Sequence, residues 1–151
     1  MQPVRALQST GKSKACFTWH YAFVKNSLLL EKAKSALNYR QLSDSADAGN
    51  VAAAILTDLG NVYVGVCIDT SCGMGFCAEH SAAAAMITAG ENTVKKLVAV
   101  NDRGNILPPC GRCREFISQI GENNLDAEVL VKKDTVVKLR DLLPYDWREA
   151  R

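Results

Sequence analysis

The spacing of apolar residues changes several times along the chain, and each change marks an element. Leu28, Leu29, Ala33, Ala36 and Leu37 recur at helical intervals and predict a first helix over roughly residues 28–39. "LSDSADAG" is rich in turn formers and reads as a loop. Two β-like runs follow, "VAAAILTD" and "NVYVGVCID", parted by Leu59-Gly60, which is the pattern of a hairpin. "CAEHSAAAAMITAG" predicts a helix ending at Gly90, with alanines on a face that must lie close against something. "KKLVAVN" reads as a buried strand, and "CGRCREFISQIG" as a helix closed by Gly121. "AEVLVKK" and "TVVKL" are short strands, and "LRDLLP" is a last turn of helix. The order α-β-β-α-β-α-β-β predicts a three-layer α/β/α sandwich on one five-stranded mixed sheet.

Residues 1–27 fit none of these periods. They lack acids, and their composition loosely resembles a transit peptide, though with a single arginine and no clean amphipathic stripe. We expect an N-terminal extension, flexible or poorly ordered, ahead of a catalytic domain at 28–151. "STGKS" resembles the end of a phosphate-binding loop, but the first glycine of that motif would fall on Ala6 and no strand precedes it.

A chain of 151 residues with 48% hydrophobic and 23% charged residues has the composition of one globular domain. No apolar run reaches the ~18 residues of a membrane span, which predicts a soluble protein without a membrane partner. The start shows no secretory pattern, so a cytoplasmic location is expected. Residues 1–30 hold Arg5, Lys12, Lys14 and Lys25 and no acid, leaving 14 basic against 16 acidic groups in the rest. A nucleic-acid binder usually carries a basic face, so a polynucleotide partner is not expected.

Six cysteines, at 16, 67, 72, 77, 110 and 113, carry the chemistry. In a reducing compartment clustered cysteines point to metal or catalysis rather than disulfides. Cys77 opens the alanine-rich helix, and Cys110 and Cys113 open the next, so three thiols should converge from two adjacent helix N-termini, where partial positive charge favours thiolates. Three ligands would leave the fourth position of a tetrahedral zinc open to a water that ionises near neutral pH. Glu79, two residues after Cys77, could move that water's proton. Two other readings stay open. A C-x-x-C can be a redox pair, although here it follows the third strand rather than the first. A closed structural site would need Cys72 or His80 as fourth ligand. Cys16 and Cys67 read as ordinary thiols.

"CAEH", followed by "PCGRC" beginning 32 residues after Cys77, resembles the cytidine deaminase superfamily, in its compact three-cysteine form. "NDRGNILPPCGRCREFI" and "LRDLLPYDW" are similar to the blasticidin S deaminase branch, and the resemblance spans roughly residues 28–147. It implies one zinc per chain on Cys77, Cys110 and Cys113, with Glu79 as proton shuttle for hydrolytic deamination of a cytosine-type nucleoside or base. It also implies a homotetramer, and substrate contacts at Asp69, Cys67, Ala78 and Trp147. His80 and Arg112 would stand behind the ligands. Many three-cysteine members carry arginine where this chain has His80, and a histidine offsets the charge of three thiolates only part of the time. Arg112 and Arg114 are therefore further candidates for that charge.

The departures from the resemblance concern the substrate. Cytidine deaminases carry Asn-x-Glu on the second strand, where this chain has Cys67 and Asp69. Asp69 keeps a carboxylate on a shorter arm, whereas a thiol is a poor hydrogen-bond partner. A modified cytosine nucleoside such as blasticidin S therefore stands beside cytidine and deoxycytidine. Plainer structural roles exist for three of these residues: Asp69 capping a turn, His80 as a satisfied helix residue and Trp147 anchoring the tail. A polynucleotide-editing deaminase and a non-catalytic zinc scaffold are the alternative functions.

Overall fold

A computed structural model of the chain describes residues 24–150. Most of the expected N-terminal extension, with Cys16 and the "STGKS" segment, lies outside the described residues. The element order is α1 (Asn26–Ala36), β1 (Arg40–Ser43), β2 (Ala46–Thr57), β3 (Val62–Thr70), α2 (Ala78–Thr88), β4 (Val94–Asn101), β5 (Ile106–Leu107), α3 (Gly111–Gln119), β6 (Glu128–Lys132) and β7 (Thr135–Lys138), followed by two short 3₁₀ turns at Leu139–Leu142 and Trp147–Ala150. No helix among the described residues is long and apolar enough to cross a membrane.

All five expected strands are present in one mixed sheet, but the sheet has seven strands rather than five. The additions are short. β1 pairs with the first residues of β2 along the edge that β4 covers further on, and β5 does the same for β4 beside β6. The ranks across the sheet remain β3, β2, β4, β6 and β7, with β4 and β6 parallel and the other pairs antiparallel. β1 escaped the sequence pattern because all four of its residues are exposed and its second half falls in the segment read as a loop. It has the short, solvated character of an added edge.

The strand period of two divides the core into two layers. Ala54 and Leu56 of β2 and Val98 and Val100 of β4 face α1, meeting Leu29 and Ala33. Ala53, Ile55, Leu97 and Ala99 face the other way, against Ala78, Ala82, Ala83 and Met86 of α2 and Ile117 of α3. α1 thus covers one face of the sheet, and α2 and α3 the other. The alanines of α2 serve a close approach: a Cβ on Gly65 of β3 would lie 2.2 Å from the amide nitrogen of Ala82. The helix rests almost directly on strand backbone, and its N-terminus is fixed accordingly.

Gly121 ends α3 for a different reason from the expected helix stop. A side chain there would meet the Asn92 carbonyl oxygen at 2.4 Å and the Asn124 amide. Asn124, fully buried, accepts from the Val94 N–H at 2.8 Å and donates to the carbonyls of Asn92 and Ile117, both at 3.0 Å. It ties the end of α3 to the start of β4. Because the buried Val94 N–H and Ile117 carbonyl would lose their partner, Asn124→Ala should cost roughly 2–4 kcal/mol of unfolding free energy, read as a lower urea midpoint at unchanged m-value.

Candidate functional site

Helices α2 and α3 begin side by side, and each is capped by a cysteine. Cys77 is the N-cap of α2 and Cys110 of α3, both with extended backbone and no side-chain cap bond. The strand-to-helix turns therefore leave both sulfurs free to point across the gap. Cys113, one turn into α3, is completely buried. The Sγ atoms of Cys77 and Cys110 are 3.6 Å apart and those of Cys110 and Cys113 3.5 Å. At Zn–S ≈ 2.3 Å, a tetrahedral ion spaces its sulfurs by about 3.8 Å. The donor atoms of Cys77, His80 and Cys113 also lie within 4.8 Å of one another. The cluster fits a zinc ion in size and in donor chemistry.

Burial pushes the Cys113 thiol well up, aided by the nearby Glu79 charge, and raises Cys77 as well, with Cys110 contributing. At Cys110 burial also opposes ionisation, but the Cys113 amide and the two neighbouring thiols outweigh it and bring the group down. The helix N-termini alone thus do not ionise all three, contrary to the simplest reading of the sequence. Thiolates here require a cation's charge as well.

Glu79 sits in the first turn of α2 and is 5% exposed; burial holds its carboxyl above the ordinary range. His80 is placed with Nδ1 3.4 Å from Cys113 Sγ and its ring stacked on Phe116, centroids 4.4 Å apart at 17°. Burial, then the charge of Arg112, lowers its pKa. Arg112 extends from α3 to donate to the Gly75 carbonyl at 3.2 Å, bracing the loop before Cys77. Arg114 is turned away and supports the chain instead, donating to the carbonyls of Pro109 at 2.7 Å and Leu142 at 3.2 Å.

Cys77, Cys110, Glu79, Ala78, Cys67, Asp69 and Arg112 all line one pocket of about 370 Å³. Seven of the residues singled out from the sequence thus share one cavity, with Cys113 touching Cys110 and His80 touching Cys113. Trp147 does not line the pocket: it is 47% exposed and its indole N–H donates to Glu115 of α3 at 2.7 Å. Within this chain the anchoring reading is the one with a contact behind it. Cys72 is exposed near the Thr70 hydroxyl and is not part of the metal-capable cluster.

The sequence reading missed Asn50, which lines the pocket beside Cys67. It falls between the stretch read as a loop, which ends at Gly49, and the strand read from Val51. The available signal was Gly49, since a glycine inside a strand marks a bulge or a close approach.

Residues 24–127 match the family described as cytidine and deoxycytidylate deaminase zinc-binding region. The chain belongs to that family. A cytidine deaminase of Mycobacterium tuberculosis is 35% identical over 95 residues, 62% of this chain and 69% of that protein. A probable cytidine deaminase of Dictyostelium discoideum is 33% identical over 86 residues, 56% of each chain. The crystal structure of the M. tuberculosis cytidine deaminase aligns with a TM-score of 0.69 at 28% identity, covering 82% of this chain and 98% of that one. That of the Mycobacterium leprae enzyme aligns at 0.68 and 27%, covering 80% and 98%. The deaminase is accordingly a zinc-dependent hydrolase, and its cluster of cysteines and histidine accounts for one zinc per chain.

Proposed function

We propose that the deaminase hydrolyses the exocyclic amine of a free cytosine nucleoside, releasing ammonia and the uracil-type product. The observation that carries this reading is the buried Glu79 carboxyl lining one pocket with Cys77 and Cys110, at the joined N-termini of α2 and α3. Cys77, Cys110 and Cys113 would hold the zinc, whose bound charge lowers the pKa of water toward neutrality. Glu79 carries the protons. Its carboxylate takes one as water oxygen bonds to ring C4, and delivers it to N3. It then takes the second hydroxyl proton to the departing amine, so that the C4–N bond breaks and C4 keeps the oxygen as a carbonyl. A carboxyl whose pKa is raised by burial suits this alternation, because it holds a proton more readily than a solvated acid.

The pocket's outer end favours a free nucleoside over a polynucleotide. A second, polar cleft continues from Asp69 and carries Asp44 and Asp47, so a phosphate backbone would meet carboxylates. The location we propose is the cytoplasm. For the assembly we propose a homotetramer; Val64 on β3 and Ile87 on α2, both partly exposed, are apolar surface available to it.

A closed structural zinc site is the second reading, favoured by His80 Nδ1 lying 3.4 Å from Cys113 Sγ. A panel of cytidine, deoxycytidine, blasticidin S, cytosine and cytosine-containing oligonucleotides, assayed for ammonia, tests the function. Release from a nucleoside is the expected result; release only from oligonucleotides, or from none, would overturn it. Asp69 is proposed to accept a sugar hydroxyl, a charge-assisted bond whose loss costs roughly 1.5–3 kcal/mol. Asp69→Asn should then lower kcat/KM about ten- to a hundredfold on nucleosides and much less on free cytosine, whereas Cys67→Ala, which removes only a weak thiol bond to Asn50, should cost far less than Asp69→Asn. Equal losses on both would make Asp69 a scaffold residue.

A further inference from the structure

Asn50 is a pocket residue that no motif accounts for, and the sheet itself puts it there. β2 and β3 are paired at Ala48 with Ile68 and again at Ala52 with Val66, so Gly49, Asn50 and Val51 stand opposite the single residue Cys67. Extra residues on one strand bend it and re-aim a side chain, a device common beside active sites. Gly49 permits the bend: its φ is +91°, and a Cβ would lie 2.1 Å from the Asn38 carbonyl oxygen. The bulge is tied down through its backbone, with the Asn38 N–H donating to Gly49 at 3.1 Å and the Asp102 N–H donating to Asn50 at 2.9 Å.

The side chain of Asn50 therefore reaches the pocket from a fixed backbone. Its Oδ1 accepts the Cys67 thiol hydrogen at 2.6 Å, which orients the amide plane and leaves the two Nδ2 hydrogens without a protein acceptor among the described residues. Cys67 in turn stands two positions before Asp69 on β3, so its side chain shares a face with Asp69. Asn50 thus belongs to the Asp69 edge of the pocket, whereas on the nucleoside reading the end formed by Cys77, Glu79 and Cys110 would take the reacting C4 and N3 edge of the pyrimidine. A donor pair next to an acceptor carboxylate matches a group with hydroxyls, whose oxygens accept and whose hydrogens donate.

We infer that Asn50 determines specificity by binding a sugar hydroxyl oxygen with its amide N–H groups, while Asp69 accepts a hydroxyl hydrogen of the same sugar. This rests on the nucleoside reading above. The amide comes from β2, across the bulge, and Cys67 orients it rather than touching the substrate. Asn50→Ala and Asn50→Asp test it; the second keeps the size and the acceptor for Cys67 but removes the donors. Melting temperatures report whether each variant is folded. Two readouts are compared: kcat/KM for cytidine against 2′,3′-dideoxycytidine, and calorimetric binding of uridine against 2′,3′-dideoxyuridine.

In folded variants the expected result is a loss of about ten- to a hundredfold for cytidine, carried by KM, and a similar loss of uridine affinity, with the dideoxy compounds nearly unaffected. Equal losses for the hydroxylated and dideoxy compounds would overturn the inference and assign the amide to the base. No loss in either variant would overturn it too, as would a wild type that binds no uridine. A wild type that binds uridine yet releases no ammonia from any cytosine compound would instead overturn the proposed function, and the uridine comparison would still decide the role of Asn50.

Discussion

Glu79→Gln is expected to keep one zinc per chain and wild-type melting while lowering turnover on the best nucleoside by on the order of 10²–10⁴ or more. The side chain is 5% exposed in the first turn of α2, where glutamine has the same shape and can hydrogen-bond, so neither packing nor cluster geometry should suffer. Only the ability to take up and release a proton is lost. Burial raises the carboxyl's pKa, so that it holds a proton between the two transfers more readily than a solvated acid would. The effect should fall on kcat, because the proton is moved in the transition state and not in substrate binding. Zinc content, thermal melting and steady-state ammonia release check the three parts. A variant that retains wild-type turnover would remove Glu79 from the mechanism.

Cys113→Ala is expected to abolish zinc binding and bring activity to background, a loss on the order of 10³-fold or more, given the several kcal/mol a catalytic metal supplies. Cys113 is the buried member of the cluster, and its sulfur lies 3.5 Å from Cys110 Sγ and 3.4 Å from His80 Nδ1. Removing it takes away one of the three proposed zinc-binding sulfurs. Elemental analysis of the variant should show essentially no zinc, against one per wild-type chain. Stripping wild type with a chelator should likewise abolish activity, and added Zn²⁺ should restore it. His80→Ala separates the two readings of the centre. Retention of one zinc per chain leaves histidine as a hydrogen-bond partner of Cys113, whereas loss of zinc would make it a ligand and close the site.

The chemistry was legible in the sequence because it is local. Cys77 and Glu79 fall in one helix turn, and Cys110 and Cys113 in another, so helical geometry alone orients each pair. The β4 strand between them, with its apolar stretch from Leu97 to Val100, was enough to expect the two helices side by side. The five principal strands were legible for a similar reason: burial imposes a period of two, or an unbroken apolar run, on the residues themselves. β1 and β5 were not, because strands that bury little leave no such imprint, and backbone pairing to β2 and β4 is invisible in side-chain pattern.

What only the tertiary structure decided is where long-range contacts compete. Trp147, for which substrate contact and tail anchoring both stood open in the sequence, donates to Glu115 within this chain, because the tail returns over α3. His80 gains both a ring stack on Phe116 and a contact with Cys113 from the other helix. Asn50 enters the pocket because a mismatch in pairing between β2 and β3 turns it there. Gly49 hinted at a bulge, but the direction of the turn depends on Asn38, Cys67 and Asp102, which lie on three other segments of the chain. Residue types and their short-range spacing can name the metal and the proton carrier. The groups that meet the rest of the substrate come from strands and loops distant in sequence, and folding alone brings them together.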